Sequence, residues 1–387
     1  MAAPRRLNRP GTAVPAGAAA QRVRAAVRDA LAALPAPVRT APPLVGCSGG
    51  ADSTALVLAV RAVVDGPVHA AVVDHGLQDG SAQRSAALAD RLRESGVDAA
   101  VHAVEVGVAG GMEAAARRAR RAALLAARPD PRSPVLLGHT LDDQAETVLL
   151  GLARGSGARS LAGMREWSDP WLRPLLGLRR ADTARFCARA GVEVWDDPHN
   201  ADPRFTRSRL RHEVLPLLED VLGGGVAGAL ARSAGQLRDD DDALAERAGL
   251  LRAAAERAPG AEPDTERDRA GPWTTGAPGD SADSSPAAPH PGTGDGWSPD
   301  TGTGAVAVPL DAAALATAPA AVRRRVLREW LTGAGVRALT EPQLRAADDL
   351  VGRWRGQGGP TLGGGLELTR ARGRLVLRHQ RWGRDRA

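Results

Sequence analysis

The chain of 387 residues contains no lysine, so all 51 of its Lys and Arg residues are arginine. This absence excludes a P-loop nucleotide site, in which a lysine contacts the β- and γ-phosphates. It also excludes any mechanism that forms a Schiff base on a lysine of the protein. If the protein handles nucleotides, another kind of loop must hold the phosphates.

Cysteine is almost absent as well. The two cysteines, Cys47 and Cys187, are far apart in sequence and form no CxxC pair. This argues against a disulfide scaffold, a structural zinc site or a cysteine-ligated cluster.

Long apolar runs are also missing. No stretch approaches the 18 or so apolar residues of a membrane span, and the N-terminal residues lack the apolar core of a signal peptide. We therefore expect a soluble, cytoplasmic protein without a membrane partner.

The net charge of +6 indicates either a polyanionic partner or a biased amino-acid composition. The charge is unevenly distributed, because residues 258–304 contain eight acidic residues and only two arginines. The same segment is rich in proline and glycine and poor in aliphatic residues, which is typical of a disordered linker. The remainder of the chain is therefore more basic than the total suggests.

Short apolar segments alternate with helix-length segments in the first half of the chain. The predicted strands are residues 44–47, 70–73, 99–106 and 135–137, and a helical pattern follows each of them. This alternation predicts an α/β fold with a parallel sheet and helices on both faces. Ligands in such folds bind beyond the carboxyl ends of the strands.

The organisation predicts five segments. They are a disordered N-terminus, an α/β domain, a helical extension, a disordered linker and a small α+β C-terminal domain with an expected supporting or substrate-binding role, at residues 1–19, 20–215, 216–257, 258–304 and 305–380.

The strongest motif is SGGADS, which follows the first predicted strand and precedes an apolar helix. Glycines allow a tight turn close to a ligand, and free N–H groups at the helix N-terminus face an anion. Hydroxyl groups add donors, and Asp52 can hold Mg²⁺ or cap the helix. The alternative is an ordinary glycine-rich turn with a capping residue. The residues expected to bind phosphate are Ser48, Gly49, Gly50, Ala51, Asp52 and Ser53.

A second motif, GHTLDDQAET, follows the fourth predicted strand and opens a helix. It places His139, Asp142, Asp143 and Glu146 near the carboxyl end of that strand. An N-cap aspartate and a buried histidine with its hydrogen bonds satisfied would explain part of this pattern without any function.

Six motifs in order resemble the tRNA(Ile)-lysidine synthetase family of PP-loop ATP pyrophosphatases. They are SGGADS, VDHGL, EAAARRAR, GHTLDDQAETVLL, RPLL and DDPHNAD…RSRLR, within residues 20–255, and a weaker likeness covers 306–378. Three positions depart from the family pattern. Arg121 replaces a usual tyrosine, Ser208 replaces an asparagine, and Gly363 stands where the family has the proline of a Pro-Gly-Gly element.

The resemblance implies ligation of free lysine to the wobble cytidine of the isoleucine tRNA with a CAU anticodon. The C2 oxygen of the cytosine attacks the α-phosphate of ATP, pyrophosphate leaves, and the lysine ε-amine then displaces AMP to give lysidine. ATP and Mg²⁺ are the implied cofactors. The oligomeric state stays open, with a homodimer among the options.

The resemblance also implies roles for individual residues. Asp52 is expected to place Mg²⁺, and His139 to lie near the α-phosphate. An acidic residue of GHTLDDQAET is expected to receive the proton of the lysine amine. The predicted catalytic residues are Asp52, His139, Asp142 and Arg207. The predicted substrate-binding residues are Arg117, Arg120, Asp143 and Glu146.

Three alternatives stay open on sequence grounds. A 2-thiolating PP-loop enzyme usually needs paired cysteines, and an amidotransferase needs a glutaminase domain with a nucleophilic cysteine. A non-catalytic RNA-binding relative would be expected to have a damaged phosphate loop, whereas SGGADS is intact.

Overall fold

The computed structural model describes residues 17–76, 78–107, 111–155, 157–195, 202–257 and 305–380. The predicted linker 258–304 lies outside these ranges, as does most of the predicted disordered N-terminus. The first helix begins at Ala18, so residues 18 and 19 are helical rather than disordered. The chain divides into two compact units, Met1–Arg238 and Asp239–Ala387, which we call the N-terminal and C-terminal units.

The N-terminal unit alternates strands and helices. Its strands are β1 (Leu44–Gly46), β2 (His69–Asp74), β3 (Asp98–Ala103), β4 (Val135–Leu137), β5 (Trp167–Ser168) and β6 (Trp171–Leu172). Its helices are α1 (Ala18–Ala32), α2 (Ala36–Arg39), α3 (Ala51–Val63), α4 (Ser81–Glu94), α5 (Met112–Ala126), α6 (Leu141–Ala153), α7 (Ala158–Leu161), α8 (Arg180–Arg189), α9 (Thr206–Arg209), a π-helical turn (Leu210–Val214), α10 (Leu215–Val221) and the first part of α11 (Val226–Arg257). No single described helix is long and apolar enough to cross a membrane. The stretches Thr206–Val221 and Val226–Arg257 meet the length and composition criteria only as a pair, across a bend of 96°.

The six strands form one sheet in the order β3-β2-β1-β4-β6-β5, in which only β5 pairs antiparallel. Both faces are covered, because side chains of neighbouring strand positions enter different cores. Val45 and Leu136 pack with α1, α3 and α8, whereas Leu44 and Leu137 pack with Leu124 of α5 on the other face. The predicted parallel sheet with helices on both faces is confirmed.

The differences from prediction are local. The third strand ends at Ala103 instead of residue 106. The strands β5 and β6 were not predicted, because two residues carry no detectable period.

The C-terminal unit has a separate core. After the second part of α11 it contains α12 (Ala312–Ala316), α13 (Ala320–Gly333) and α14 (Glu341–Gly352), with strands β7 (Leu310–Asp311), β8 (Thr361–Leu362), β9 (Leu366–Ala371) and β10 (Arg374–His379). The strands form an antiparallel sheet in the order β7-β10-β9-β8. Trp330 is buried in this core and donates a hydrogen bond to the carbonyl oxygen of Val308 over 2.9 Å. The unit is α+β, as expected from the sequence.

Candidate active site

The phosphate loop between β1 and α3 closes around one serine. The Ser53 hydroxyl accepts a hydrogen bond from the Ser48 amide over 3.1 Å and donates one to the Gly50 carbonyl over 3.0 Å. Gly49 has a φ of +84°, in the left-handed region that favours glycine. The loop therefore has a fixed shape at the N-terminus of α3, where backbone N–H groups favour an anion.

The end of β4 lies directly against this loop. A Cβ atom at Gly138 would lie 2.8 Å from the carbonyl carbon of Asp52 and 2.9 Å from the amide nitrogen of Ser53, so only glycine fits there. The next residue, His139, is thereby held beside the loop. The GHTLDDQAET and SGGADS motifs thus meet at one edge of the sheet.

A cavity of about 620 Å³ opens at this edge, within the range of small-molecule sites. Its walls come from the phosphate loop, the end of β2 with His75, the start of α4, Arg120 and Trp195. Trp195 donates its backbone N–H to the Gly49 carbonyl over 3.0 Å, and the Arg84 guanidinium lies 5.1 Å from its ring. The cavity is large enough for a nucleotide whose phosphates reach the loop.

His139 is neutral at physiological pH. Burial, reinforced by the positive charges of nearby arginines, lowers the pKa of its imidazole to about 3, although Asp143 opposes this shift. Its Nδ1 atom is buried and has no hydrogen-bond partner within the described part of the chain. A neutral imidazole with an unused nitrogen can donate or accept a hydrogen bond at a substrate, but it does not supply a positive charge.

Asp52, at the start of α3, is held by two residues of α8. The Thr183 hydroxyl donates a hydrogen bond to its Oδ1 atom, and Arg180 Nε lies 3.4 Å from its Oδ2 atom. Burial raises the pKa of Asp52 above its usual value despite these two contacts. The carboxylate is therefore less stabilised by its surroundings than a typical salt-bridged aspartate.

The acidic residues of α6 form a network with arginines. Thr140 and Asp143 make a capping box at the N-terminus of the helix. Asp143 also accepts hydrogen bonds from Arg180 over 2.9 Å and from Arg211 over 3.3 Å. Burial acts to raise the pKa of Asp143, but the charge of Arg180 and the hydrogen bonds from Thr140 outweigh it and hold this pKa below its usual value.

Glu146 lies deeper in the same network. Its side chain is fully buried, and Arg211 contacts both of its oxygens, over 2.8 and 3.3 Å. Arg180 approaches one of these oxygens to 3.6 Å. Asp142, at the edge of the network, accepts the backbone N–H of Arg180 over 2.7 Å and pairs with Arg179 over 2.9 Å.

Asp52 is the carboxylate nearest to the loop that could hold a divalent cation. Within the described ranges, no group of three or more His, Cys, Asp or Glu side chains could hold a metal ion without other ligands. Mg²⁺ typically binds through one or two carboxylates together with substrate phosphates. The donor set at Asp52 fits a cation that shares phosphate ligands with a nucleotide.

The structure brings together most of the predicted site residues. The phosphate loop, His139, Asp142, Asp143 and Glu146 converge on one edge of the sheet. Arg120 lines the cavity, and burial lowers the pKa of its guanidinium. Arg117 is exposed. Asp196–Asn200 of the DDPHNAD motif lie outside the described residues.

Sequence reasoning missed the residues that hold the carboxylates. Arg207 makes no ion pair with another described residue, whereas Arg211, one helical turn later in the same RSRLR motif, contacts Glu146. Arg180 and Thr183 carry no local signal of function, although Arg180 follows RPLL closely. Arg121, at the position of the usual tyrosine, stacks 4.5 Å from the ring of Trp171.

Comparison with known proteins identifies the family. A profile described as a PP-loop domain matches residues 23–218, and one described as the TilS substrate binding domain matches residues 310–376. Among solved structures, the U34-tRNA thiolase NcsA from Methanococcus maripaludis aligns with a TM-score of 0.47 and 16% identity, over 57% of this chain and 79% of its own.

Full-length relatives are much closer. The tRNA(Ile)-lysidine synthase of Nocardia farcinica is 51% identical over 346 residues, which cover 87% of this chain and 91% of the relative. The enzyme of the same name from Mycobacterium tuberculosis (strain H37Rv) is 47% identical over 342 residues, covering 87% and 90%. The family predicted from the six motifs is confirmed: the chain belongs to the tRNA(Ile)-lysidine synthases.

Proposed function

We propose that the protein ligates free lysine to C2 of the wobble cytidine in the CAU-anticodon isoleucine tRNA, at the expense of ATP. The observation that carries this proposal is the position of the phosphate loop beside the carboxylates of α6, linked by Arg180. A ligase of this kind needs both features, one to bind the triphosphate and the other to bind an ammonium group. Membership of the family supports the same reaction.

In the first step the cytosine C2 oxygen attacks the α-phosphate of ATP. We assign the departing phosphates to the phosphate loop at Ser48, Gly49 and Gly50, whose shape is held by the hydroxyl of Ser53. Asp52 would hold Mg²⁺, which supplies charge neutralisation at the phosphates when it is bound. The neutral imidazole of His139 offers a hydrogen bond beside this centre.

In the second step the lysine ε-amine displaces AMP from C2. Asp143 is ionised at neutral pH because its pKa is held low, so it can bind the substrate ammonium together with Glu146. A proton must leave this amine, whose ordinary pKa is about 10.4. We assign the proton to a carboxylate of α6, where Asp143 and Glu146 lie next to each other in the arginine network.

The two cysteines do not suit sulfur transfer, which is the reaction of the alternative 2-thiolating enzyme. Both are buried, and burial raises the pKa of Cys47 above its usual value and that of Cys187 to about 12. Neither thiol is therefore a thiolate at neutral pH, which a sulfur-transfer reaction needs.

Lysine incorporation tests the proposal directly. The protein is incubated with ATP, Mg²⁺, radiolabelled lysine and a transcript of isoleucine tRNA with a CAU anticodon. We expect label in this tRNA and none in a matched transcript with a GAU anticodon, which has no wobble cytidine. No label in either tRNA, with folded protein, would overturn the proposal.

A variant separates catalysis from tRNA binding. Asp52→Ala should lower AMP formation by at least about 100-fold, because loss of a group that stabilises charge in the transition state commonly costs that much. Its affinity for tRNA should stay within two-fold of wild type. Asp65→Ala, at an exposed position after α3, is the matched control and should keep full activity.

We further propose that residues 258–304 act only as a linker between the catalytic and C-terminal domains. Their composition supports this, because so few aliphatic side chains cannot offset the entropy of ordering the chain. Deletion of residues 259–303 should leave lysine incorporation within about two-fold of wild type. A larger loss would assign the segment a role in the reaction.

A further inference from the structure

The side chain of Arg180 is shared between the phosphate loop and the acidic helix α6. Its Nε atom reaches Asp52 over 3.4 Å, while one of its terminal nitrogens contacts Asp143 over 2.9 Å and Glu146 over 3.6 Å. The contact with Asp52 is long for a charged hydrogen bond, whereas the contact with Asp143 has normal length. In this structure the guanidinium is thus bound mainly to α6.

The main chain at Arg180 is fixed independently of the side chain. Its N–H donates to Asp142 over 2.7 Å, and Arg180 is the first residue of α8. The guanidinium is on a long side chain that is 29% exposed. A shift of the guanidinium between the two groups of carboxylates therefore requires side-chain rotation and no movement of α8.

Charge balance on α6 depends on where this guanidinium lies. Asp143 and Glu146 together face two arginines, Arg180 and Arg211. Arg211 contacts both oxygens of the fully buried Glu146 and is therefore the fixed partner. If Arg180 left, two carboxylates would face one cation, and the pocket would lack one positive charge.

We propose that Arg180 couples ATP binding to lysine binding by exchange of cations. The negative triphosphate in the loop draws the guanidinium away from α6, and the ammonium group of the substrate takes the vacated place beside Asp143 and Glu146. This inference rests on the proposed function. It makes Arg180 a positioning residue that acts through these carboxylates, and it predicts positive, reciprocal coupling between the two substrates.

Lysine affinity measured by calorimetry tests the exchange. On wild-type protein, lysine should bind at least about ten-fold more tightly when a non-hydrolysable ATP analogue and Mg²⁺ are present, within the usual range of coupling between sites. In Arg180→Gln the ratio should fall to about one, because the pocket then lacks a cation in both states. The nucleotide-free variant should also bind lysine more tightly than nucleotide-free wild type.

Two further variants separate charge from structure. Arg180→Lys keeps a cation that can move and should retain part of the coupling. Arg185→Gln, on the same helix but exposed and outside the network, should match wild type.

Several outcomes would overturn the inference. Equal lysine affinity with and without the analogue on wild-type protein does so without any variant. A coupling ratio that persists in folded Arg180→Gln does so as well. In either case, if wild-type protein still incorporates lysine into tRNA, only the coupling proposal fails. If wild-type protein does not incorporate lysine, the proposed function fails as well.

Discussion

Arginines around α6 have different partners from those in the β9–β10 hairpin of this lysine-free chain. Around α6 in the N-terminal unit, Arg180 and Arg211 neutralise buried carboxylates. In the β9–β10 hairpin of the C-terminal unit, Arg370 and Arg374 donate instead to main-chain carbonyl groups, and Arg370 also stacks 5.0 Å from the ring of Trp354. Carbonyl partners hold a guanidinium in place without cancelling its charge.

The difference shows that one residue type can neutralise buried carboxylates in one region and bind main-chain carbonyl groups in another. A guanidinium has five donors in a rigid plane, so Arg180 can reach three carboxylates at once, which a lysine ammonium does less well. A carbonyl group and an aromatic ring leave the positive charge of Arg370 uncancelled, which would suit a contact that positions RNA. The comparison can be tested by substituting arginines that pair with carboxylates and arginines of the hairpin.

The largest effect on stability is expected at Arg211. Arg211→Met would leave Glu146, which is fully buried, with only the distant contact to Arg180. Removal of one partner of a buried ion pair commonly costs about 3 kcal/mol or more. Urea-induced unfolding should show a loss of this order.

Two control variants compare this loss of stability with the loss at two other ion pairs. Arg209→Met removes an exposed pair with Glu213 on the same helical segment and should cost little stability, because water screens this pair. Arg323→Met breaks the pair with Asp348 in the C-terminal unit, but Arg324 lies 3.9 Å from the same carboxylate, so its cost should be intermediate. Equal stability of Arg211→Met and Arg209→Met would mean that the ion pair between Arg211 and Glu146 does not stabilise the fold as a buried pair does.

The pH dependence of stability should differ between Asp52 and Asp143. The pKa of Asp143 is lowered on folding, so this residue stabilises the fold above its unfolded pKa, and the contribution is lost as the pH falls through the folded pKa. The pKa of Asp52 is raised on folding, so its contribution is present at low pH and is lost as the pH rises through the folded pKa.

Asparagine variants of Asp143 and Asp52 measure these two opposite contributions to stability. At pH 7, Asp143→Asn should lose about 1.5–3 kcal/mol, as for a hydrogen bond to a charged group. Asp52→Asn should melt at or above the wild-type temperature at pH 7, because it removes a carboxylate that is costly to ionise, although we expect this variant to be inactive. Both differences should shrink in thermal melts near pH 3. A strongly destabilised Asp52→Asn at pH 7 would contradict this assignment.

The parts of the fold that sequence alone could predict are those with a local signal. Apolar runs such as 135–137, followed by glycine and a helical period, mark β4 and α6, and glycine and hydroxyl residues mark the phosphate loop. The two-residue strands β5 and β6 have no such signal. They form because β6 adds to the edge of a sheet that the other strands already define.

The residues of the candidate site likewise differ in whether the local sequence predicts their positions. His139, Asp142, Asp143 and Glu146 share one motif, so their proximity follows from chain connectivity. The contacts of Asp52 with Arg180 and Thr183 join residues 128 and 131 positions apart, and nothing in the local sequence encodes them. The choice between Arg207 and Arg211 likewise depended on which side of the helix faces α6. The predicted catalytic roles of individual residues stay predictions.

The smallest expected effect concerns Arg372, at the tip of the β9–β10 hairpin. Arg372 has a φ of +50° and is followed by Gly373 at +72°, a two-residue turn that favours Asn-Gly. A left-handed arginine costs about 1 kcal/mol, whereas asparagine adopts this conformation readily. Arg372→Asn should therefore raise the free energy of unfolding by up to about 1 kcal/mol.

The same substitution should weaken tRNA binding if the arginine at the tip contacts phosphate. We expect a few-fold loss of affinity and a salt dependence reduced by about one phosphate contact. Ala338→Asn is the matched control, because Ala338 is exposed in the same unit, has a φ of +53° and carries no charge. It should gain similar stability with unchanged tRNA affinity. Equal tRNA affinity of Arg372→Asn and wild type would instead mean that the charge at this tip serves no RNA contact, and the contrast between α6 and the β9–β10 hairpin would then rest on Arg370 and Arg374 alone.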